Sequence, residues 1–178
     1  MDPRSGRIVL VGLKHTGKST VGRALASLLG APFVDTDDVI ASLSGKTPRQ
    51  LHDEGGWPLM AEWETRACAE TAARQGSLVV ATGGGLADNA DAAGILKNAG
   101  TIVFLDTDFE TVYARILESA KRDGRMPSFL RGDDPRSEFG KVFARRRESY
   151  ATMADVRVET GALNPLEICR TIMDAVRA

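Results

Sequence analysis

The stretch Gly12-Leu13-Lys14-His15-Thr16-Gly17-Lys18-Ser19-Thr20 is the first place where residue types and spacing point to chemistry. It reads as a glycine, four variable residues, then Gly-Lys-Ser, with an apolar run before it at residues 8–11 and a helical period after it. This is phosphate-loop spacing in the setting such a loop requires. Glycines let backbone N–H groups close around phosphate oxygens, and the helix N-terminus adds positive potential. Lys18 is placed to reach the β- and γ-phosphates, and the Ser19 hydroxyl to ligate Mg²⁺. The residues set against a nucleotide are therefore Gly12, His15, Thr16, Gly17, Lys18, Ser19 and Thr20. His15 enters as a partly exposed spacer, because the loop works through its backbone.

Three further groups lie downstream. Asp35 and Asp37 stand two apart at the end of a short apolar run, so in a strand both carboxylates face one side, toward the loop. Helix capping is the competing role for Asp37 and Asp38, and it suits Asp38 better. Gly83, Gly84 and Gly85 end another strand and open onto a helical segment near Asp88. Three glycines permit close backbone approach to a ligand, whereas a plain turn needs one. Arg146 shares a helical face with Phe139, Val142, Phe143 and Tyr150, which puts a guanidinium on the stripe that should be buried. It needs an anionic partner, and Glu64 is the internal candidate. Arg145 and Arg147 fall on solvated flanks.

The elements that must position these groups follow from periodicity. β-Branched apolar runs at residues 8–11, 32–34, 78–81, 101–105 and 156–158 alternate with longer segments of helical period, the pattern of an α/β protein with a parallel sheet. In the first helix Val21, Leu25, Leu28 and Leu29 form the buried face, Arg23 and Ser27 the polar one, and Gly30 the left-handed cap. The last helix starts at Asn164-Pro165 and buries Leu166, Ile168, Ile172 and Val176. Residues 121–136 are charged, hold two prolines and two glycines, and lack periodicity, as a mobile flap does. A length of 178 residues fits a single domain over residues 1–178. A formal net charge of −1 argues against nucleic acid and anionic membrane, leaving a small-molecule partner for an expected monomer. Cys68 and Cys169 lack metal or redox spacing and read as buried thiols. No stretch approaches 18 apolar residues and residues 1–7 carry no signal-peptide core, so a cytoplasmic location is expected.

The class of phosphate-loop protein narrows by elimination. No guanine-reading Asn-Lys-x-Asp occurs. Asp106 ends the run Val103-Phe104-Leu105-Asp106 as the acid of a motor ATPase would, but the chain is short for such machinery. A small kinase is the simpler fit. After the loop come, in order, Val34-Asp35-Thr36-Asp37, Ala81-Thr82-Gly83-Gly84-Gly85, Arg147-Glu148-Ser149-Tyr150 directly after Arg146, and Asn164-Pro165. On these motifs the chain resembles the shikimate kinase family over nearly its whole length. The resemblance implies a five-stranded parallel sheet of order 2-3-1-4-5 flanked by helices, a phosphate-loop kinase fold with a flap that closes over the reactants. It implies ATP with Mg²⁺, and transfer of the γ-phosphoryl group to a hydroxyl of a small acceptor, shikimate first. Asp35 would help hold Mg²⁺ beside Ser19, and Asp37 would bind the acceptor hydroxyl, sharing catalysis with Lys18. Gly83 to Gly85 would cradle the acceptor, Arg146 would take its carboxylate, and Arg115, Asn164 and Pro165 would enclose the adenine. Little base strength is demanded of Asp37, because phosphoryl transfer depends mainly on positioning and charge stabilisation.

The chain departs from the family pattern at two arginines. Where the family carries Phe-Arg-x-x-Glu, this chain has Met60-Ala61-Glu62-Trp63-Glu64, keeping the glutamate and replacing the arginine by Ala61. In the flap Met126 stands before Pro127 where the family has arginine, with Arg125 one residue early and Arg131 beyond; Arg125 is assigned to the acceptor. Arg66 lies five residues past Ala61, about 140° around the helix. Losing one bidentate arginine weakens a carboxylate acceptor by roughly tenfold or more. Trp57, Met60, Trp63, Met126 and Phe129 make the wall more apolar, packing being the ordinary role of Trp63. Two rival readings follow from these departures. One is a kinase for a nucleoside or another polyol or hydroxy acid; the other is an ATP-binding regulatory protein whose acceptor site has decayed.

Overall fold

Strands and helices alternate along the chain and build one parallel sheet of five strands. The computed structural model describes residue 4, residues 6–124 and residues 133–177. The first half runs β1 (Arg7–Val11), α1 (Lys18–Leu29), β2 (Phe33–Asp35), α2 (Thr36–Ser44), α3 (Pro48–Ala73) and β3 (Leu78–Ala81). A 3₁₀ turn (Leu86–Asp88) leads to α4 (Ala90–Ala99), β4 (Thr101–Asp106), α5 (Phe109–Asp123), α6 (Pro135–Met153), β5 (Val156–Glu159) and α7 (Pro165–Arg177). The strand order is β2-β3-β1-β4-β5, and all four pairings are parallel. Because β1 has β3 on one side and β4 on the other, the crevice beyond its C-terminal end is a switch point, where ligands of such sheets bind. The phosphate loop leaves β1 there.

Successive strand residues face opposite sides, and this divides the core in two. Ile8, Leu10, Val79, Val103, Leu105 and Val158 pack with Val21 and Leu25 of α1 and Ile168 and Ile172 of α7. Val9, Val11, Val34, Val80, Ile102 and Phe104 pack under α2 to α6, where Tyr150 of α6 is fully buried against Phe104. Both cysteines are buried, and burial pushes the Cys68 thiol up to about 12.

Three details differ from the sequence reading. Leu28 (51% exposed), Leu29, Leu166 and Val176 lie outside the core, because they occupy terminal turns that run past the packed stripe. Gly22 and Ala26 supply the rest of the α1 contact; Gly22 lacks a Cβ where the Phe33 ring lies 2.5 Å away. Both ends of the segment expected as a flap, residues 121–136, belong to helices: α5 continues to Asp123 and closes on Gly124 (φ 64), and Asp134 caps α6 by accepting from Ser137 N at 3.1 Å. Arg125, Met126, Pro127, Phe129 and Arg131 lie outside the described residues.

Helix α3 is two segments that meet at Gly56 (φ 64), with Pro58 in the first turn of the second, where a missing N–H costs nothing. Its far end is held by a residue that periodicity does not reveal. Arg7, buried at the start of β1, donates from Nη1 to the carbonyls of Arg74 (2.7 Å) and Ala72 (3.3 Å) and from Nη2 to Thr71 (2.9 Å). A cation here satisfies carbonyls the helix leaves unpaired and meets the negative end of its dipole. Among the described residues no helix is long and apolar enough to cross a membrane. Arg7→Ala is expected to lower stability by about 2–4 kcal/mol, read as a lower urea midpoint at unchanged slope; an unmoved midpoint would show the clamp to be dispensable.

Candidate active site

The loop after β1 is shaped by positive φ angles. Gly12 (φ 148) runs so close to β4 that a Cβ would lie 2.9 Å from the Leu105 carbonyl oxygen, and Gly17 (φ 88) turns the chain into α1. His15 (φ 66) is left-handed without being glycine, and its carbonyl accepts from Arg115 Nη1 at 2.9 Å. Thr16 Oγ1 donates to Leu13 O at 2.9 Å, closing the loop on itself. The Lys18 ammonium is buried and donates to the carbonyls of Gly12 (2.9 Å) and Leu13 (2.7 Å). Burial pulls its pKa down to about 8, against the opposing pull of Asp37 and Asp35. Thr20 is exposed on the first turn of α1.

Asp35 joins this loop to the next element. Its Oδ2 accepts from Ser19 Oγ at 2.6 Å and its Oδ1 from Asp37 N at 3.1 Å. It is thus the N-cap of α2, a role the sequence reading gave to Asp37 or Asp38. Strand β2 stops at Asp35, so Asp37 sits in the first turn of α2 instead of continuing a strand. Its carboxylate still faces the loop, within electrostatic reach of Lys18. Burial and the charge of Asp35 raise the Asp37 pKa, with Lys18 opposing them.

The three glycines are unequal. A Cβ on Gly84 would lie 2.5 Å from the backbone nitrogen of Lys14, so the turn and the phosphate loop touch only because that position is glycine. A Cβ on Gly83 would lie 3.0 Å from Asp37 Oδ1 and 3.2 Å from Glu64 Oε1, which places two carboxyl groups around one point. Gly83 N donates to Thr36 Oγ1 at 3.2 Å. Gly85 has ordinary room beside Trp57 and Arg146.

On the other flank of the turn stands α6. Ala87 N donates to the Tyr150 hydroxyl at 3.3 Å, and Arg146 Nη1 donates to Gly84 O at 3.2 Å. The buried-face reading of Arg146 holds in part, since it is half-buried, but its protein partner is Asp88 and not Glu64. Glu64 Oε2 instead accepts from Asn89 Nδ2 at 3.0 Å, because Asn89, the α4 cap, reaches across to α3. Glu64 is almost wholly buried, and burial pushes its pKa up to about 7; nearby Asp37 and Asp88 add to the rise, while the Asn89 hydrogen bond and Arg146 oppose it.

Ala61 contributes only its carbonyl, accepting from Asn89 Nδ2 at 3.0 Å. Arg66 does not stand in for the missing guanidinium, because it pairs with Glu62 and lies over the Trp63 ring on the exposed face. Met60 is core, and Trp57 and Trp63 pack partly buried against it. Arg147 is not a free flank residue: with Arg157 it holds Asp106, buried at the end of β4. Asn164 and Pro165 start α7, where Asn164 Oδ1 accepts from Leu166 N (3.0 Å) and Glu167 N (3.1 Å). The cleft therefore gathers Lys18, Ser19, Asp35, Asp37, Glu64, Gly83 to Gly85 and Arg146, with Arg115 attached through His15. Sequence reading missed Asp88, Asn89 and Asp106 as partners; each bonds across more than 20 residues, beyond any local pattern.

Glu64 yields a test of its environment. A carboxyl whose folded-state pKa is raised from 4.5 to about 7 adds stability that is full below the unfolded value and is lost as pH rises through about 7. Glu64→Gln removes that titration. The thermal midpoint of the wild type, measured against Glu64→Gln, should fall by several degrees between pH 5 and pH 8; a constant difference would contradict the raised pKa.

Comparison with known proteins points to one family. The family model described as "Shikimate kinase" (SKI) matches residues 15–177. A shikimate kinase of Persephonella marina is 36% identical over 170 residues, covering 96% of this chain and 98% of its own. Another, of Nitratidesulfovibrio vulgaris, is 39% identical over 148 residues, 83% of each chain. The solved structure of the Acinetobacter baumannii shikimate kinase in complex with shikimate superposes with a TM-score of 0.84 at 31% identity, covering 97% of this chain and 93% of that one.

Proposed function

Because the chain belongs to the shikimate kinase family, we propose that its cleft transfers the γ-phosphoryl group of ATP to a hydroxyl of shikimate. One observation carries the reading: Gly84 lies against the Lys14 backbone, which sets the phosphate loop beside a turn flanked by Asp37 and Arg146. Donor and acceptor are then held adjacent, and adjacency supplies much of the catalysis in phosphoryl transfer. The relative from A. baumannii, solved with shikimate, supports the choice of acceptor.

In this reading Gly12, His15, Thr16, Gly17, Ser19 and Thr20 wrap the phosphates with their N–H groups. Lys18 turns its ammonium from the loop carbonyls to the phosphate oxygens, where it stabilises the charge of the transferring group. Arg115, held by the His15 carbonyl, lies over one face of the base, and Asn164-Pro165 border the other. Ser19 and Asp35 are hard oxygen donors 2.6 Å apart, the ligand chemistry Mg²⁺ prefers, and would hold it directly or through water. Bound there, Mg²⁺ would screen the negative charge of the phosphates.

Asp37 accepts the hydrogen bond of the acceptor hydroxyl and aims it; its raised proton affinity suits a group toward which that proton moves. Gly83 to Gly85 support the acceptor ring, and Arg146 takes its carboxylate, with Arg125 assigned to the same ligand.

ATP consumption should saturate with shikimate, and Asp37→Asn should lower kcat by about 10²–10⁴-fold; turnover with nucleosides alone would overturn the reading. Ala61→Arg places a guanidinium one helical turn from Glu64, a buried carboxyl hydrogen-bonded to Asn89. The KM for shikimate should fall about tenfold in that variant, whereas an unchanged or higher KM would mean that the acceptor carboxylate does not lie near position 61.

A further inference from the structure

The turn beyond the glycines carries a carboxylate that phosphoryl transfer does not itself require. Asp88 closes the 3₁₀ turn and meets two neighbouring arginines of α6. Its Oδ2 accepts from Arg146 Nε at 3.0 Å and from Arg146 Nη2 at 2.8 Å. Arg145 bonds Oδ1 through Nη1 and reaches Oδ2 through Nη2 at 3.2 Å. The third Arg146 donor, Nη1, is taken by Gly84 O at 3.2 Å.

A guanidinium carries five N–H bonds. Among the described residues these three contacts use the Nε hydrogen and one hydrogen on each terminal nitrogen, which leaves one further N–H on Nη1 and one on Nη2. Two such donors on adjacent nitrogens are what a carboxylate bridges. An arginine without such contacts loses considerable rotamer freedom on binding, and that loss weakens affinity.

We propose that Asp88 is a positioning residue of the acceptor site: it pins the Nε edge of the Arg146 guanidinium and leaves the two terminal nitrogens presented to the acceptor's carboxylate. The inference rests on the reading of Arg146 as the carboxylate ligand. Arg145 has a matching part. It occupies the second oxygen of Asp88, so the cluster of one carboxylate and two guanidiniums keeps a net positive charge, and Asp88 orients Arg146 without cancelling its attraction for an anion. Partial burial raises the Asp88 pKa, but the hydrogen bonds from both arginines outweigh it and hold the carboxyl below its usual range, so the pinning persists at neutral pH. The demand on Arg146 is high in this chain because Ala61 supplies no guanidinium to the same pocket.

Steady-state kinetics of the full chain with shikimate and with its uncharged methyl ester separate the possibilities. Asp88→Ala should raise the KM for shikimate about tenfold, keep kcat within about twofold, and leave the KM for the ester unchanged. Asp88→Asn keeps an acceptor oxygen and should fall between, at about threefold; it also serves as the test should the alanine variant not fold. Arg146→Ala should raise the shikimate KM at least as far as Asp88→Ala does. If Arg146→Ala does so while Asp88→Ala and Asp88→Asn leave the KM unchanged or lower, the positioning role is overturned. Equal rises for acid and ester would overturn it as well, showing a general structural role. An unchanged KM in Arg146→Ala would overturn the underlying assignment of Arg146.

Discussion

The backbone nitrogen of Lys14 lies 2.5 Å from the place where any residue but glycine would carry its Cβ at position 84. Two adjacent parallel strands, β1 and β3, end side by side, and the loops that leave them can touch only if one loop gives up its side chain. That contact sets how far the phosphate loop stands from the second turn. On the opposite side α6 closes on the same turn through the Tyr150 hydroxyl and the Arg146 guanidinium. The glycine turn is therefore gripped from both sides, by backbone packing at the phosphate loop and by hydrogen bonds from a helix.

Charge is distributed around that turn in two kinds of carboxyl. Asp35 and Asp88 each have both carboxylate oxygens hydrogen-bonded: by Ser19 and the Asp37 amide for one, by Arg145 and Arg146 for the other. They act as fixed acceptors that hold neighbouring parts in place. Asp37 and Glu64 surround the Gly83 position and have proton affinities raised chiefly by burial. Low dielectric around an incompletely paired carboxyl favours its neutral form. The fixed pair thus builds the frame, and the second pair faces the space between loop and turn.

The phosphate loop, the two aspartates after β2 and the glycine triplet were legible because each is a local pattern, and the alternation of strands and helices fixed the fold class. The strand order 2-3-1-4-5 came from resemblance, since periodicity carries no information on which strands pair. Asp37 was misplaced by one element because a strand end and a helix start differ by a single residue there, and the cap at Asp35 decides between them. Leu28 and Val176 look like core in the sequence but are exposed, because an apolar stripe does not show where the sheet beneath it stops. Asp88 is illegible for a different reason: its partners lie 57 and 58 residues away, and an isolated acid after a turn has the appearance of a solvated residue. Arg147 and Asp106 were separated in the same way, by 41 residues.

The Glu64 carboxyl has a consequence for how the cleft responds to its contents. With a pKa of about 7 it is divided between its two protonation states at neutral pH, and buried beside the acceptor turn it senses any charge brought there. An anion entering the pocket raises its proton affinity and draws a proton from the solvent, while a cation expels one. Ligand association is then coupled to buffer ionisation: calorimetric heats differ between buffers of unlike ionisation enthalpy, and the number of protons exchanged reports the sign of the charge the ligand carries into the pocket.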